Sequence, residues 1–319
     1  FLVQGAGGNV SWKDSNVMWV KASGTRLSEA KEKNIFVPVD LISLQNAMNT
    51  GNFSYVPKAI ENYGLRPSIE TLLHGLMKQK VVVHLHLVSS LIHLIKKDAK
   101  KILTKLIGSE LNWGFVKYCK PGAKLAEEIS KLLDSDKTLD VIFLANHGIV
   151  IGSETVQKAN EIVKLLDKIF GRESIKRKVV PKSEKIFTKI SDIDFDWISN
   201  DQLNLLAQED FYLRFIKKSW ALFPDHVVFL GHRPVIVDDI PSIEDIEAKK
   251  LRSTPFIFVK KVGVLQNNQS TNAQLEQLLC YFNVISNIDS QSNINNISDR
   301  EVAQLLNWDA EVYRQEMSK

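Results

Sequence analysis

Two histidines, His84 and His86, stand at i and i+2 inside VVVHLHLV, a run otherwise made of valine and leucine. A β-branched run of this kind predicts a buried strand, and residues two apart on a strand point to one face. Two imidazoles on one apolar face are costly unless something uses both. His147 offers a third from Asn146-His147-Gly148, a turn predicted between the two short apolar strands of TLDVIFLANHGIVIGS. Glu70, in the first turn of a helix predicted over RPSIETLLHGLMKQ just before the histidine strand, could add an oxygen. Three nitrogens and one carboxylate make a zinc-type ligand shell. Spacing alone leaves the alternative open, that these are unrelated buried histidines, because a chain does not reveal convergence in space.

Weaker candidates surround this set. GAGGNVS is either a tight turn or an anion nest built from backbone N–H groups with Asn9 and Ser11. It is not a dinucleotide fingerprint, since Val10 stands at the third glycine position, and it lacks the lysine of a Walker loop. No G-x-S-x-G elbow occurs, which disfavours a serine hydrolase of that type. His74, four residues after Glu70, either orients that carboxylate or forms a helix-surface pair with it. His93 reads as structural, and Lys96, Lys97, Lys100, Lys101 and Lys105 read as a solvated helix face. Asp225-His226, in FPDHVVFLG, could mark a second small site, but the preferred reading is a turn entering a strand.

The elements needed to position these groups are legible in outline. The opening LVQGAGGNVSWK predicts strand, loop and strand, and a further strand runs from Val17 to Lys21 as far as Ser23-Gly24. Residues 27–50 read as helical pieces around IFVPVDL, where Pro38 marks a sheet edge or a turn. Ser68 is the expected N-cap of the helix that follows, and Ser153 that of the long helix ending at Gly171. Helices are expected over SSLIHLIKKDAKKILTKLIG and KPGAKLAEEISKLLDS. RESIKRKVVPKSEK reads as a linker. Beyond it, HVVFLG, RPVIVDD and PFIFVKKVGVL suggest strands, residues 272–284 a helix, and SDREVAQLLNWDAEVYRQ a helical ending capped by Ser298. The expected division is residues 1–187, with the linker, and residues 188–319.

Composition bounds the rest. The 319 residues carry 41 basic and 37 acidic side chains, a net charge of +4 that is too weak to imply a nucleic-acid or membrane partner. The six tryptophans show no stacking pattern with basic residues that would suggest nucleic acid. Hydrophobic residues at 44% and charged residues at 24% exclude a disordered or fibrous chain. Cys119 and Cys280 are too few and too far apart for a disulfide scaffold or a cysteine-built zinc site, and fit a reducing, cytoplasmic setting. No apolar stretch approaches the roughly 20 residues that span a bilayer. The chain starts at Phe1, so a removed leader is invisible here.

GAGGNVSWK, KASGTRL, RPSIETLLH, the HLH of VVVHLHLV, and ANHGIVIG with its helix together resemble the class II aldolase/adducin family, in the family's order, over about residues 1–170. RPSIETLLHGLMKQKVVVHLHLV, FPDHVVFLG and LLNWDAEVYRQ are similar to the rhamnulose-phosphate-aldolase-like portion of bifunctional aldolase/short-chain dehydrogenases, which extends the likeness to nearly the whole chain. The resemblance implies a three-layer α/β/α domain with a largely antiparallel sheet, followed here by a smaller α/β domain. It further implies a divalent metal, usually zinc, on His84, His86 and His147, with Glu70 as a resting ligand and later a base. A substrate phosphate would lie among Asn9, Ser23, Gly24 and Ser68. Ile69 stands where several phosphate-binding members have a second serine, which removes one hydroxyl donor.

The implied activity is metal-dependent aldol cleavage or formation in a short sugar-derived hydroxy-carbonyl compound, through a metal-stabilised enediolate. Tyr118 and Glu110 are the candidates for the acid that protonates the departing fragment. Epimerases and dehydratases of the family share the ligands, and a non-catalytic adducin-like interaction module is the third reading. A homo-oligomer, commonly a tetramer, is the implied assembly.

Overall fold

A computed structural model describes residues 2–60, 63–171, 193–289 and 291–317. Its first sheet comes from β1 (Asn9–Asp14), β2 (Val17–Lys21), β3 (Phe36–Asp40), β4 (Val81–Leu85), β5 (Trp113–Val116), β6 (Val141–Leu144) and β7 (Gly148–Ser153). Their spatial order is β3-β2-β1-β4-β7-β6-β5. Every neighbouring pair is antiparallel except β5 with β6. Pro38, which has no N–H to donate, sits on the edge strand β3. β4 lies at the centre, where its valines and leucine are covered on both faces.

Helices cover both sides, giving three layers. On one face α1 (Leu41–Asn49) buries Leu44 against Val20, Val37 and Val39, while α2 (Thr71–Leu76) and α5 (Ala123–Ser135) bury Leu73 and Ile129 against Val82, Ile142 and Val150. On the other, α3 (Val88–Leu94), α4 (Ala99–Ile107) and α6 (Val156–Gly171) bury Leu94, Leu103 and Leu166 against Leu85, Phe143 and Ile151. The lysines of α4 at 100, 101 and 105 point to solvent.

The later residues form a smaller sheet, ordered β8-β11-β10-β9, from β8 (Phe195–Trp197), β9 (Val235–Val237), β10 (Phe256–Val259) and β11 (Gly263–Asn267). It is joined by α7 (Asp201–Gln208), α8 (Asp210–Lys218), α9 (Pro224–Leu230), α10 (Ile243–Ala248), α11 (Asn272–Ser286), α12 (Asp299–Leu306) and α13 (Asp309–Met317). Val88, Leu91 and Ile95, at and just after α3, share a core with Leu206, Tyr212, Tyr281 and Ile285 of this part. Among the described residues, no helix is long and apolar enough to cross a membrane.

Five local expectations need correction, the first being the opening strand, since residues 2–4 form none and β1 begins only at Asn9. HVVFLG is not a strand: residues 224–230 form α9, with Pro224 in its first turn and Gly231, at φ 84, just beyond its end. Every residue of α9 is buried, so no polar face discloses a helical period. The helix after Pro67 starts at Thr71, and the Ser68 hydroxyl accepts from the Glu70 N–H instead of capping a helix from 69. At α6 the Thr155 hydroxyl accepts from the Lys158 N–H, while Ser153 donates to the Thr155 carbonyl. The ending splits at Asn307-Trp308 into α12, which has its Ser298–Glu301 capping box, and α13. The expected linker, RESIKRKVVPKSEK, lies outside the described residues.

Candidate active site

The central strand and its two neighbours bring the chemistry together. β1 runs antiparallel to β4 with Asn9 opposite His84, and β7 flanks β4 on its other side with Val150 opposite His84. His86 follows β4 directly. His147 stands in the β6–β7 turn, where Asn146 adopts left-handed backbone at φ 54. That turn is heavily fastened: the Asn146 N–H donates to Leu94 O at 3.0 Å. Its side-chain amide donates to Leu222 O and Asn295 O at 2.8 and 2.6 Å, and its Oδ1 accepts from Asn295 at 2.7 Å. Glu70 precedes α2, whose buried face fixes it over the sheet.

His84, His86 and His147 are all buried, and each offers a ring nitrogen within 4.8 Å of the others. His86 Nε2 lies 3.1 Å from His84 Nε2. Glu70 bridges the set, Oε2 standing 3.4 Å from His84 Nε2 and Oε1 standing 3.4 Å from His147 Nε2. A tetrahedral ion with bonds of about 2.05 Å separates its ligand atoms by about 3.3 Å, so these spacings fit a zinc-sized ion. Glu70 Oε1 is buried and makes no hydrogen bond, as an oxygen kept for a cation or a substrate would be. Burial lowers the pKa of His84, and burial together with the neighbouring imidazoles carries His147 well below 6.5. Neutral rings keep the lone pairs that metal ligation needs.

Polar partners orient the cluster. Asn9 Nδ2 donates to Glu70 Oε2 at 2.8 Å, a charge-assisted bond worth roughly 1.5–3 kcal/mol. The His84 Nδ1 meets Ile149 O at 3.0 Å, and His86 Nδ1 lies 3.2 Å from Asp225 Oδ2. Asp225 in turn accepts from Arg314 of α13, whose Nε is 2.7 Å from Glu311 Oε2. Burial opposes ionisation of Asp225, but Arg314 and His86 outweigh it and hold the carboxyl well below its usual range. Lys21 is buried and donates to Ala6 O, Ala22 O and Thr25 O, tying the glycine loop to the Ser23-Gly24 turn. Burial and Arg314 push Lys21 down to about 7.

The expected substrate-binding residues separate into two groups. Ser23 and Ser68 line a cavity of about 660 Å³ together with Arg66, Ile69, Trp308 and Tyr313. The Ser23 hydroxyl is buried there without a hydrogen bond. Asn9 instead holds Glu70, and Gly24 is covered by α13, where an added Cβ would meet Met317 Cβ at 2.3 Å. His74 bonds Ser11 Oγ at 2.8 Å, not the Glu70 carboxylate. Tyr118 lines a separate groove with Lys96, Lys100 and Lys117, and Glu110 is exposed after α4. Asp225 is no turn residue but the buried partner of His86. Lys21, Glu311 and Arg314 were not foreseen. Pro224 with Asp225 directly after it is a helix-start signal that could have revealed α9.

Known proteins resemble parts of this chain. A relative named L-fuculose phosphate aldolase, from Methanocaldococcus jannaschii, is 32% identical over 161 residues, which is 46% of this chain and 73% of the relative. The protein named as the uncharacterized oxidoreductase YuxG of Bacillus subtilis (strain 168) is 25% identical over 279 residues. That match takes in 75% of this chain but only 40% of YuxG, so the chain spans about two fifths of that relative. Among solved structures, the N-terminal class II aldolase domain of a conserved protein from Thermoplasma acidophilum aligns with a TM-score of 0.45 and 22% identity. It covers 52% of this chain and 83% of its own. The sugar-phosphate aldolase from Thermotoga maritima aligns at TM-score 0.43 and 16% identity, over 54% of this chain and 85% of its own. The profile of the class II aldolase and adducin N-terminal domain matches residues 1–172, more than half of the sequence, and the chain belongs to that family.

Proposed function

We propose that this chain is a divalent-metal-dependent aldolase that cleaves or forms a C–C bond in a short sugar-derived hydroxy-carbonyl compound. The observation that carries the reading is the convergence of His84, His86, His147 and Glu70 with spacings that suit one zinc-sized ion. When bound, such an ion supplies Lewis-acid polarisation of adjacent carbonyl and hydroxyl oxygens.

The side chains divide the remaining work. Asn9 steadies Glu70 through Oε2 and leaves Oε1 free of hydrogen bonds. Glu70 then accepts the proton of the substrate hydroxyl as the C–C bond breaks, and returns it to the carbon left with the electron pair. For the far end of the substrate, Ser23, Ser68 and the nearby Arg66 support an anionic group, and the relative named as a phosphate aldolase supports a phosphate. Asn9 and Gly24 belong to this proposal as the walls that hold Glu70 and close the turn. A cytoplasmic, homo-oligomeric enzyme completes the reading, as the family resemblance implies.

The test combines metal analysis of the purified chain with a panel of phosphorylated and unphosphorylated ketoses. The expected result is stoichiometric divalent metal, release of an aldehyde fragment, loss of turnover on chelation, and recovery with Zn²⁺, Co²⁺ or Mn²⁺. Metal-replete protein that inverts a hydroxyl centre or eliminates water, with no aldehyde released, would make it an epimerase or dehydratase. Protein that refuses metal would make it an interaction module.

A further inference from the structure

His86 is the one member of the cluster whose second nitrogen faces a carboxylate among the described residues. His84 Nδ1 meets a neutral backbone carbonyl, Ile149 O, and His147 Nδ1 has no hydrogen-bond partner. Asp225 reaches His86 from α9, 139 positions further along the chain, and the two are buried together. An ionised carboxylate only accepts, so the proton shared by the pair belongs to His86 Nδ1. That assignment leaves the Nε2 lone pair directed toward His84 and the rest of the cluster.

The carboxylate is itself held from several sides. Arg314 donates to Oδ1 at 2.5 Å, and Gln277 donates to Oδ2 at 3.4 Å. Gly7 leaves the space that the pair needs: a Cβ there would sit 2.7 Å from Asp225 Oδ2 and 3.0 Å from His86 Nδ1. Part of the glycine loop is therefore glycine because a carboxylate and an imidazole meet behind it.

We propose that Asp225 is a positioning residue of the metal site, accepting a hydrogen bond from the His86 Nδ1–H so that Nε2 is committed to the ion, with Arg314 of α13 holding the carboxylate in place. The inference rests on the metal reading above. It gives the later part of the chain a defined task, because α9, α11 and α13 supply Asp225, Gln277 and Arg314. A simple buried ion pair joining α9 to α13 would contribute to stability without affecting how tightly the folded protein holds metal.

The experiment uses the full chain and Zn²⁺ competed against a chromophoric chelator. Asp225→Asn should weaken Zn²⁺ binding about 10–100-fold, the range for losing a partner of a metal-ligating histidine. Arg314→Met should weaken it less, since the carboxylate stays while its anchor goes. The metal-free melting temperature, measured alongside, separates a loss of affinity from a loss of fold. Wild-type protein with ¹⁵N-labelled histidine rings supplies a readout that needs no variant to fold: the zinc-loaded form should show the His86 proton on Nδ1 and the metal on Nε2. The reversed tautomer overturns the inference, as does Asp225→Asn that binds Zn²⁺ like wild type. Wild-type protein that binds no Zn²⁺ overturns the metal reading and this inference with it.

Discussion

Gly148 offers a sharp steric test of how the site is held. A Cβ added there would lie 2.3 Å from Leu85 O and 3.1 Å from His86 Cδ2, whereas ordinary contact begins near 3.4 Å. The Leu85 carbonyl belongs to the backbone of β4 and cannot swing aside, so β4 and β7 must part where Leu85 pairs with Ile149. His84 Nδ1 is bonded to Ile149 O at that place, and His147 directly precedes the glycine. Overpacking of this kind costs about 1–3 kcal/mol, which corresponds to a fall of about 2–12 °C in melting temperature for a domain this large. Displaced ligands should also weaken Zn²⁺ binding at least about tenfold, equivalent to about 1.4 kcal/mol. Gly152→Ala is the control on the same strand. Its Cβ would meet Gln79 Oε1 at 2.5 Å and Met77 Cε at 2.7 Å, both ends of flexible side chains. It should cost no more than the Gln79–Leu139 hydrogen bond, about 1 kcal/mol. Neither glycine has positive φ, so backbone strain does not confound the pair. Calorimetry of the metal-free proteins and zinc competition read both effects. A Gly148→Ala protein that melts and binds zinc like wild type, or a Gly152→Ala protein equally damaged, would refute the steric reasoning.

Glu70→Gln should slow aldol cleavage by about 10²–10⁴-fold, the usual range for a positioned general base, with metal content measured in the same samples; turnover near wild type would remove Glu70 from the proton path. Ile69→Ser, which places a hydroxyl in the cavity beside Ser23 and Ser68, should lower KM for a phosphorylated substrate relative to its unphosphorylated counterpart, and an unchanged ratio would remove that cavity from anion binding. His226 is buried among Trp220, Phe223 and Tyr281, and burial pushes its pKa down from 6.5 to about 3. Below about pH 6.5 only the unfolded chain protonates this ring, so stability falls with falling pH by up to about 1.4 kcal/mol per unit. His226→Phe should flatten the slope of unfolding free energy against pH by up to one proton in that range, and an unaltered slope would show that His226 does not titrate on unfolding.

The histidine pair was legible because its signal is local, whereas the approach of His147 and Glu70 to it is tertiary and spacing left it open. An imidazole pair at i and i+2 in a valine run needs only the period of a strand to be placed. The Ser298 cap was legible for the same reason, and of the two readings open for Pro38, a sheet edge or a turn, the edge is the one found. Asp225 was not, and the cause is burial. α9 is hidden on all sides, so its Val227, Val228, Phe229 and Leu230 present the same apolar run that a central strand would. Once that segment is taken for a strand, the aspartate before it falls into a turn and loses its place beside His86. Arg314 and Glu311 were hidden differently: a charged pair on a terminal helix normally means a solvated face, and only tertiary packing shows these two buried. Lys21 escaped notice because its partners are backbone carbonyls, which leave no mark in a sequence.

The fastening of Asn146 has a consequence for the timing of assembly. During synthesis His84, His86 and the Asn146 turn are complete long before Leu222 and Asn295, which hold that turn, have been added. At about 5–20 residues per second, the gap from His147 to Asn295 lasts roughly 7–30 s. Through that interval the Asn146 N–H bond to Leu94 O is the fastening already in place. The unfinished chain thus carries all three imidazoles before the segments around Leu222 and Asn295 are present to fasten the turn that bears His147.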